Sequence, residues 1–438
     1  MNRLKSLFVP RRPVVAALAL MAVALAAGSA QAAENGKFRV GIVTFLSGAA
    51  AGPFGVPSAH AAETVIDALN KGLLPAPYNT KGINGLEIEA VIIDENGGAT
   101  KQVEEFRNLV ERQKVDAVIG YISSGDCLAV SPVAEELKIP TVFYDCGTSR
   151  LFEENKAPKY SFRTGLDAVV DNVGAVRYLA DTRPKMASIA GIQQNYAWGQ
   201  DSWTDFVETT KKLRPEVKVV GEQFPKIFQG QYGAEISALS VAKPDVIHSS
   251  FWGGDMEALV LQGNARGLFD GRTLLLTCGE SAMEHYKDQA PNGMVIGGRG
   301  PFGAFAPKNA LSEWLRAAYS AKWNEQPVYP SFKIVQAILG LKAAVEKAAA
   351  APGKQPDADK ITAAFTSLTF ESPSGTVKMA RSTGHQAMQG IAYGEYYFEG
   401  GKATLKNVRS YKDTCVTPPE GVNGQDWIKS GMPGAKCD

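Results

Sequence analysis

Residues 115–144, VDAVIGYISSGDCLAVSPVAEELKIPTVFY, contain the pattern that decides the fold. Apolar runs at 115–121 and 139–144 predict buried β-strands, and the apolar residues of 128–137 have helical spacing. Strands that are apolar on both faces are typical of parallel sheets covered by helices. The stretch therefore predicts a strand–helix–strand unit of a doubly wound α/β sheet.

The same alternation continues on both sides of this unit. Towards the N-terminus it predicts strands at 38–46 and 86–94, with helices at 58–71 and 99–112. Near residue 159 the pattern begins again, and this second series of strands and helices predicts a second α/β lobe. With 438 residues, of which 45% are hydrophobic, the chain is long enough to bury two cores.

The first 32 residues have the pattern of a secretory signal peptide. Four basic residues precede an apolar run at 14–27, and the segment ends in the small-x-small sequence Ala30-Gln31-Ala32. This run is shorter than the roughly 20 residues that a helix needs to cross a bilayer. We therefore expect cleavage after Ala32 and a periplasmic mature chain, with an uncleaved amphipathic anchor as the alternative.

Charge and motif content exclude several classes of function. The whole chain has 46 Lys and Arg against 45 Asp and Glu, and loss of the signal segment leaves 42 cations against 45 anions. A nearly neutral chain offers no strong attraction for nucleic acid. Only four histidines are present, and the sequence contains no HExxH, Walker A, CxxC or GxSxG motif. The sequence therefore predicts a protein that is not an enzyme and that needs no metal or cofactor.

Export to an oxidising compartment permits disulfides among the five cysteines. Cys127 and Cys146 flank one predicted helix–strand unit, whereas Cys415 and Cys437 bracket a C-terminal tail rich in Gly and Pro. We expect these two pairs, which leave Cys278 unpaired, although four cysteines already allow three pairings. The tail is expected to lack regular structure, so a disulfide would hold it in place.

The chemistry that follows each predicted strand suggests what the protein binds, because ligands of open α/β sheets lie beyond the carboxyl ends of the strands. Hydroxyls and accessible backbone N–H groups in the first lobe suit a carboxylate, and aromatic rings with one acid in the second suit an apolar group and a cation. An α-amino acid has all three features. The candidate residues are Phe54, Ser123, Ser124, Cys146, Gly147, Thr148, Tyr196, Trp252 and Glu280.

Several of these candidates also have a purely structural explanation. Ser123 and Ser124 could cap the helix that follows them, Tyr196 could belong to the core of its lobe, and Glu280 could pair locally. Residues 298–303 fit GxGxxG, but prolines within and just after the motif prevent a clean helix start. We therefore expect that segment to be a crossover between lobes.

Several segments resemble the branched-chain amino-acid-binding type of periplasmic solute-binding protein. The similarity is carried by residues 118–140, GIVTFLSG at 41–48, YSFR at 160–163, YAWG at 196–199 and YPS at 329–331. It extends over nearly the whole mature chain. The resemblance implies two Rossmann-like α/β lobes that are joined by three crossovers and close on a solute by a hinge motion.

The implied arrangement interleaves the two lobes along the chain. It assigns residues 33–158 and about 302–380 to the N-terminal lobe. It assigns residues 159–301 and about 381–413 to the C-terminal lobe. Residues 414–438 then form an extension beyond both lobes.

The resemblance also implies roles for individual residues. In amino-acid binders of the family, a Ser or Thr after the third strand and the loop after the fourth hold the ligand carboxylate. Ser123 or Ser124 and the segment Cys146–Thr148 occupy those positions here. Phe54 corresponds to the aromatic residue of the first loop, and Glu280 corresponds to the partner of the ligand ammonium.

The sequence therefore predicts an exported monomer that delivers an amino acid, branched-chain or related, to the permease of an ABC importer. Asp255 stands where branched-chain binders place an aromatic residue, and Trp252 could take over that apolar role. One alternative is a binder of aromatic or aliphatic carboxylates, amides or urea, for which a cationic residue such as Arg299 would matter. Another is a sensory ligand-binding subunit.

Overall fold

The computed structural model describes residues 36–155 and 157–437, so the expected signal peptide at 1–32 lies outside the described residues. Within them the chain forms two separate sheets, each with a parallel core whose strands are connected through helices. This confirms the predicted two-lobe α/β fold class. Among the described residues, no helix has both the length and the apolar character needed to cross a membrane.

Eight strands form the sheet of the first lobe. They are β1 (Lys37–Thr44), β2 (Glu87–Asp94), β3 (Ala117–Gly120), β4 (Thr141–Phe143), β5 (Ser161–Arg163), β11 (Thr369–Ser372), β12 (Gly375–Arg381) and β13 (Gln386–Met388). Their spatial order is β11-β12-β13-β5-β4-β3-β1-β2. Strands β1 to β5 and β13 run parallel, and β11 and β12 add an antiparallel hairpin at one edge.

Seven strands form the sheet of the second lobe. They are β6 (Ser188–Ile192), β7 (Lys218–Gln223), β8 (Val246–Ser249), β9 (Thr273–Leu276), β10 (Met294–Gly297), β14 (Ile391–Glu399) and β15 (Lys402–Tyr411). Their spatial order is β15-β14-β10-β9-β8-β6-β7. The strands from β6 to β10 are parallel, whereas β14 pairs antiparallel with β10 and β15 pairs antiparallel with β14.

Helices connect and cover the strands, and several have recognisable start signals. The α-helices are α1 (Val56–Lys71), α2 (Ala99–Glu111), α3 (Ser124–Leu137), α4 (Arg150–Glu154), α5 (Ala168–Thr182), α6 (Ala197–Leu213), α7 (Gly233–Ala242), α8 (Gly254–Ala265), α9 (Met283–Tyr286), α10 (Ala310–Trp323), α11 (Tyr329–Ala348), α12 (Ala358–Phe365), α13 (Asp413–Val416) and α14 (Gly424–Lys429). A π-helical turn covers Ala51–Gly55, and short 3-10 turns cover Gly279–Ala282, Lys287–Gln289 and Gly303–Phe305. Helix α10 begins with a capping box, in which Asn309 and Ser312 satisfy each other's backbone N–H groups.

The described chain passes between the two sheets three times, after β5, after β10 and after β13. This is the number of crossovers that the family resemblance implies. Residues 298–303, which fit GxGxxG, directly follow β10 at the second passage and precede helix α10. Their expected role as a crossover is therefore confirmed.

Two lobe boundaries differ from those that the sequence predicts. Strand β5 pairs with β4 through Phe162 and Val142, so the first lobe continues past residue 158. Strand β13 pairs with β5 through Gln386 and Arg163, so the first lobe also continues past residue 380. Both strands are three residues long and end next to a passage between lobes. Which sheet such a strand joins depends on its distant partner, which a local pattern cannot indicate.

The tail has more regular structure than expected, since it contains α13 and α14. The Asn423 side chain caps α14 by accepting a hydrogen bond from the Asp426 N–H at 3.0 Å. Helix α14 packs against α6, and Trp427 is almost fully buried in the core of the second lobe. Pro418, Pro419 and Gly421 lie between the two short helices, and Gly431, Pro433 and Gly434 follow α14, so they do not prevent either helix from forming.

Both expected disulfides are present. Cys127 bonds to Cys146 in the first lobe, and Cys415 bonds to Cys437 across the tail. Cys278 is the free cysteine of the described chain, and it is buried. The Cys415–Cys437 bond closes the segment that contains α14.

Candidate functional site

A small cavity lies where the carboxyl ends of the strands of both lobes meet. In the described form the lining side chains nearly fill it, and the remaining cavity of about 10 Å³ is about enough for one water molecule. All of its lining residues follow a strand or belong to the start of α11. They are Phe54, Ile122, Ser124, Asp145, Gly147, Tyr196, Trp198, Trp252, Cys278, Arg299 and Tyr329. The cavity therefore has the position expected for a ligand site, and the lobes or the lining side chains must move apart to admit a solute.

Aromatic rings from both lobes form an apolar part of the wall. Phe54, in the π-helical turn after β1, packs edge-to-face against Trp252 with ring centroids 5.6 Å apart. It packs in the same way against Tyr329 at 5.5 Å. The Trp252 indole N–H donates to the Tyr196 hydroxyl at 2.6 Å, which fixes both rings. Such a wall suits an apolar side chain.

A buried charge cluster forms the polar part of the site. The Arg299 guanidinium donates to Asp145 Oδ1 at 2.7 Å through Nη1 and to Asp171 Oδ2 at 3.1 Å through Nε. Lys333, which is fully buried, also donates to Asp145 Oδ1, at 2.8 Å. The second carboxylate oxygen of Asp145, Oδ2, is buried and has no hydrogen-bond partner. Two cations and two anions therefore balance within this cluster.

Burial and the mutual charges of the cluster shift the pKa values of its members. Burial, with the neighbouring Arg299, lowers the pKa of Lys333 to about 8. Burial raises the pKa of Asp171, although Arg299 and Lys333 oppose this rise. Burial opposes the charged form of Arg299, but Asp171 and Asp145 outweigh it and raise the pKa of the guanidinium. The guanidinium also lies 4.2 Å from the centre of the Trp198 ring, so its position is fixed from several sides.

Hydrogen-bond donors converge near the start of α3. The Ser124 hydroxyl oxygen accepts the backbone N–H groups of Gly147 and Thr148, both at 3.2 Å. A Cβ on Gly147 would collide with Arg299 and with the Trp198 ring, so this position has room for glycine only. Because the Ser124 oxygen accepts these two bonds, its O–H remains to donate, and a hydroxyl donor beside a guanidinium suits a carboxylate.

The structure brings together five of the nine predicted site residues and places the other four elsewhere. Those that line the cavity are Phe54, Ser124, Gly147, Tyr196 and Trp252. Ser123 caps α3 by accepting the Asp126 N–H at 3.4 Å, which is its structural explanation. Cys146 is held in a disulfide, and Thr148 donates to Asp201 Oδ2 at 2.6 Å.

Glu280 lies behind the cavity wall and does not line it. Its Oε1 accepts the Ala304 N–H at 2.6 Å, and its Oε2 accepts the Tyr329 N–H at 2.7 Å. Burial raises the pKa of this carboxyl to about 7, and the two backbone donors oppose that rise. Contrary to the position expected for an ammonium partner, Glu280 holds the second crossover and the start of α11. A buried carboxylate needs donors, and these two amides meet that need.

Six lining residues lie outside the nine candidates, namely Ile122, Asp145, Trp198, Cys278, Arg299 and Tyr329. Of these, the sequence indicated Arg299 only for the alternative of a carboxylate, amide or urea ligand. Asp145, Trp198 and Cys278 follow predicted strands closely, so the strand-end rule could have included them. Asp255, which stands where branched-chain binders place an aromatic residue, lies in the first turn of α8 and does not cap that helix. Its carboxylate instead accepts the Phe228 N–H at 2.6 Å and the Gln194 side-chain amide at 2.7 Å.

Direct contacts join the two lobes beside the cavity. The Gly254 N–H donates to the Ala49 carbonyl at 2.7 Å. Asp201, on α6 of the second lobe, accepts from Thr148 and forms an ion pair with Arg150 at 2.8 Å. Both Thr148 and Arg150 follow β4 of the first lobe. The described form is therefore a closed one, since these contacts would separate if the lobes moved apart.

The fold and the cleft define a two-lobe solute-binding protein. The family model described as periplasmic binding protein matches residues 37–401, and the chain belongs to this family. The resemblance found in the sequence is thus confirmed at the level of the family. Among curated protein sequences, none matches this chain.

Solved structures of solute-binding proteins share the fold at low sequence identity. A protein of R. palustris in complex with 4-hydroxybenzoate has a TM-score of 0.73 at 20% identity, covering 86% of this chain and 97% of its own. The branched-chain amino-acid transporter substrate-binding protein of Streptococcus pneumoniae, in complex with isoleucine, has a TM-score of 0.69 at 16% identity, covering 86% and 99%. An amino-acid ABC transporter substrate-binding protein of Pseudomonas fluorescens has a TM-score of 0.73 at 14% identity, covering 91% and 99%.

Proposed function

We propose that this chain is the substrate-binding protein of an ABC importer and that its cleft captures an α-amino acid with an apolar side chain, branched-chain or related. The observation that carries this proposal is the charge balance at the polar end of the cavity. Arg299 and Lys333 already balance Asp145 and Asp171. An α-amino acid brings one charge of each sign and preserves the balance, whereas a lone carboxylate adds a buried charge without a partner.

The remaining walls agree with the same solute. Ser124 and Arg299 supply donors for the carboxylate, and Phe54 and Trp252 supply an apolar surface for the side chain. Burying apolar surface contributes about 25 cal/mol per Å², so contact with these rings favours the binding of a hydrocarbon side chain. The isoleucine complex of the Streptococcus pneumoniae protein supports this proposal by analogy. Release to a membrane permease would follow from opening of the two lobes.

A small aromatic carboxylate is the second candidate. Five aromatic side chains line the cavity, and Arg299 is a cation in its wall. The R. palustris protein of similar fold binds 4-hydroxybenzoate, which supports the candidate by analogy. This solute would leave the buried charge cluster with one anion in excess, which is why we place it second.

A thermal-shift screen of residues 33–438 tests the proposal. The panel contains the twenty amino acids, benzoate, 4-hydroxybenzoate and 3,4-dihydroxybenzoate, with glutamate and lysine as controls whose side chains are charged. We expect leucine, isoleucine, valine or phenylalanine to raise the unfolding midpoint, since a ligand at 100 times its Kd stabilises by about 2.7 kcal/mol. Stabilisation by the benzoates alone would replace the first candidate with the second.

A further inference from the structure

We propose that Asp145 receives the ammonium group of the solute and thereby makes the site selective for amino acids over their deaminated analogues. This assignment rests on the proposed function. It gives Asp145 the role that the family resemblance implies for Glu280. The structure supports the assignment through the hydrogen bonds of Asp145, through its place in the cavity and through the engagement of Glu280.

The hydrogen bonds of Asp145 leave one oxygen available to the solute. Oδ1 accepts from Arg299 at 2.7 Å and from Lys333 at 2.8 Å, whereas Oδ2 is buried without a partner. Buried polar atoms are almost always hydrogen-bonded, so an orphaned carboxylate oxygen in a cavity wall indicates a donor that the solute brings. An ionised carboxylate can only accept, and an ammonium group can only donate.

Other acids of the region are less suited to this role. Glu280 uses both oxygens on backbone N–H groups, at 2.6 and 2.7 Å. Asp171 also has an orphaned oxygen, Oδ1, but it does not line the cavity. Within the described chain, Asp145 is the carboxylate that combines a free oxygen with a place in the wall. The Tyr329 hydroxyl, which lines the cavity without a hydrogen-bond partner, can serve as a second acceptor.

The position of Asp145 fits the head group of an amino acid. The ammonium and the carboxylate are attached to one carbon, so their partners must lie close together. Asp145 is two residues from Gly147, and the Arg299 guanidinium bonds to Asp145 and lies directly against Gly147. One guanidinium therefore connects the acceptor for the ammonium with the donors for the carboxylate.

The neighbours of Asp145 also fix its orientation. Arg299 donates to the backbone carbonyl of Asp145 at 2.6 Å in addition to Oδ1, and Lys333 holds Oδ1 from a second side. Oδ2 is thus held in place before the solute arrives, which favours a tight and selective hydrogen bond. A deaminated acid would leave Oδ2 buried and unpaired, and sites built for a donor reject such analogues strongly.

Calorimetric titration with matched solutes tests the assignment. The probes are leucine against 4-methylpentanoate, and phenylalanine against 3-phenylpropanoate, each pair differing in the amino group. We expect the wild-type protein to prefer the better-bound amino acid over its analogue by about 100-fold or more. In Asp145→Asn we expect this ratio to fall below about 10-fold, mainly through weaker binding of the amino acid. Glu280→Gln is expected to change both affinities by the same factor.

A second variant separates loss of selectivity from loss of folding. Asp145→Asn leaves Arg299 and Lys333 with one anion fewer, so the double variant Asp145→Asn/Lys333→Met restores the charge balance. We expect the double variant to fold and to show the same reduced ratio.

The outcomes distinguish this assignment from the proposed function. An amino acid that binds with an unchanged ratio in both variants would overturn the role of Asp145 and leave the proposed function standing. Binding of benzoate with no binding of either amino acid to the wild-type protein would overturn both. If the preference for the amino acid over its analogue were lost in Glu280→Gln but kept in the Asp145 variants, Glu280 would be the partner of the ammonium group.

Discussion

Replacing Gly147 with alanine is expected to weaken solute binding by at least about 100-fold. A Cβ at this position would overlap the Arg299 guanidinium and the Trp198 ring. Arg299 cannot move aside without breaking its bonds to Asp145 and Asp171, at 2.7 and 3.1 Å. The added methyl therefore either disrupts the charge cluster or holds the lobes apart, and both effects reduce affinity. Calorimetric titration with the amino acid that gives the largest thermal shift measures this loss.

Gly125→Ala is the matched control for this substitution. Gly125 lies in the first turn of α3, next to Ser124 of the cavity wall. The nearest atom to an added Cβ is the Ser123 hydroxyl oxygen at 3.7 Å, an ordinary contact. We expect its affinity to stay within about threefold of wild type, because alanine also suits a helix better than glycine. Equal affinities for Gly147→Ala and Gly125→Ala would contradict the described packing around Gly147.

Trp427→Ala is expected to destabilise the protein by about 3–5 kcal/mol, the range for removing a buried tryptophan. The Trp427 side chain is 1% exposed, lies in the core of the second lobe and donates to the Pro433 carbonyl at 3.0 Å. Its helix, α14, packs against α6. The substitution therefore removes a side chain of the core of the second lobe, although Trp427 lies in the C-terminal tail. Urea unfolding followed by circular dichroism measures the change.

Val422→Ala, in the same tail, serves as the control for Trp427→Ala. Val422 is 39% exposed, so its truncation is expected to change the free energy of unfolding by no more than about 0.5 kcal/mol. A loss below about 1 kcal/mol for Trp427→Ala would show that the tail is dispensable for the second lobe. That result would contradict the packing of α14 against α6.

The fold could be predicted from sequence wherever the signal was local. The run 115–144 gave the strand–helix–strand unit correctly, because apolar strands and helical spacing are properties of neighbouring residues. The sheet membership of β5 and β13 was missed, because each depends on a partner elsewhere in the chain. The resemblance to a family, and not the pattern alone, gave the number of crossovers.

In the candidate site, too, positions set by local pattern could be predicted, and contacts between distant residues could not. The strand-end rule located Ser124, Gly147 and Trp252, since topology alone brings such positions to the cleft. It could not show that Glu280 bonds to the amides of residues 304 and 329, which are distant in sequence. Nor could it show that Arg299 pairs with Asp145 across 154 residues. The chemistry of the polar end therefore became visible only in three dimensions.

A crystal structure of residues 33–438 grown with the best-stabilising amino acid tests the central claim most directly. We predict that the ammonium nitrogen lies within hydrogen-bond distance of Asp145 Oδ2 and that the carboxylate contacts Ser124, Gly147 or Arg299. The side chain should lie against Phe54 and Trp252, while Glu280 keeps its bonds to Ala304 and Tyr329. An ammonium group bonded to Glu280, or a solute bound outside this cavity, would contradict the account.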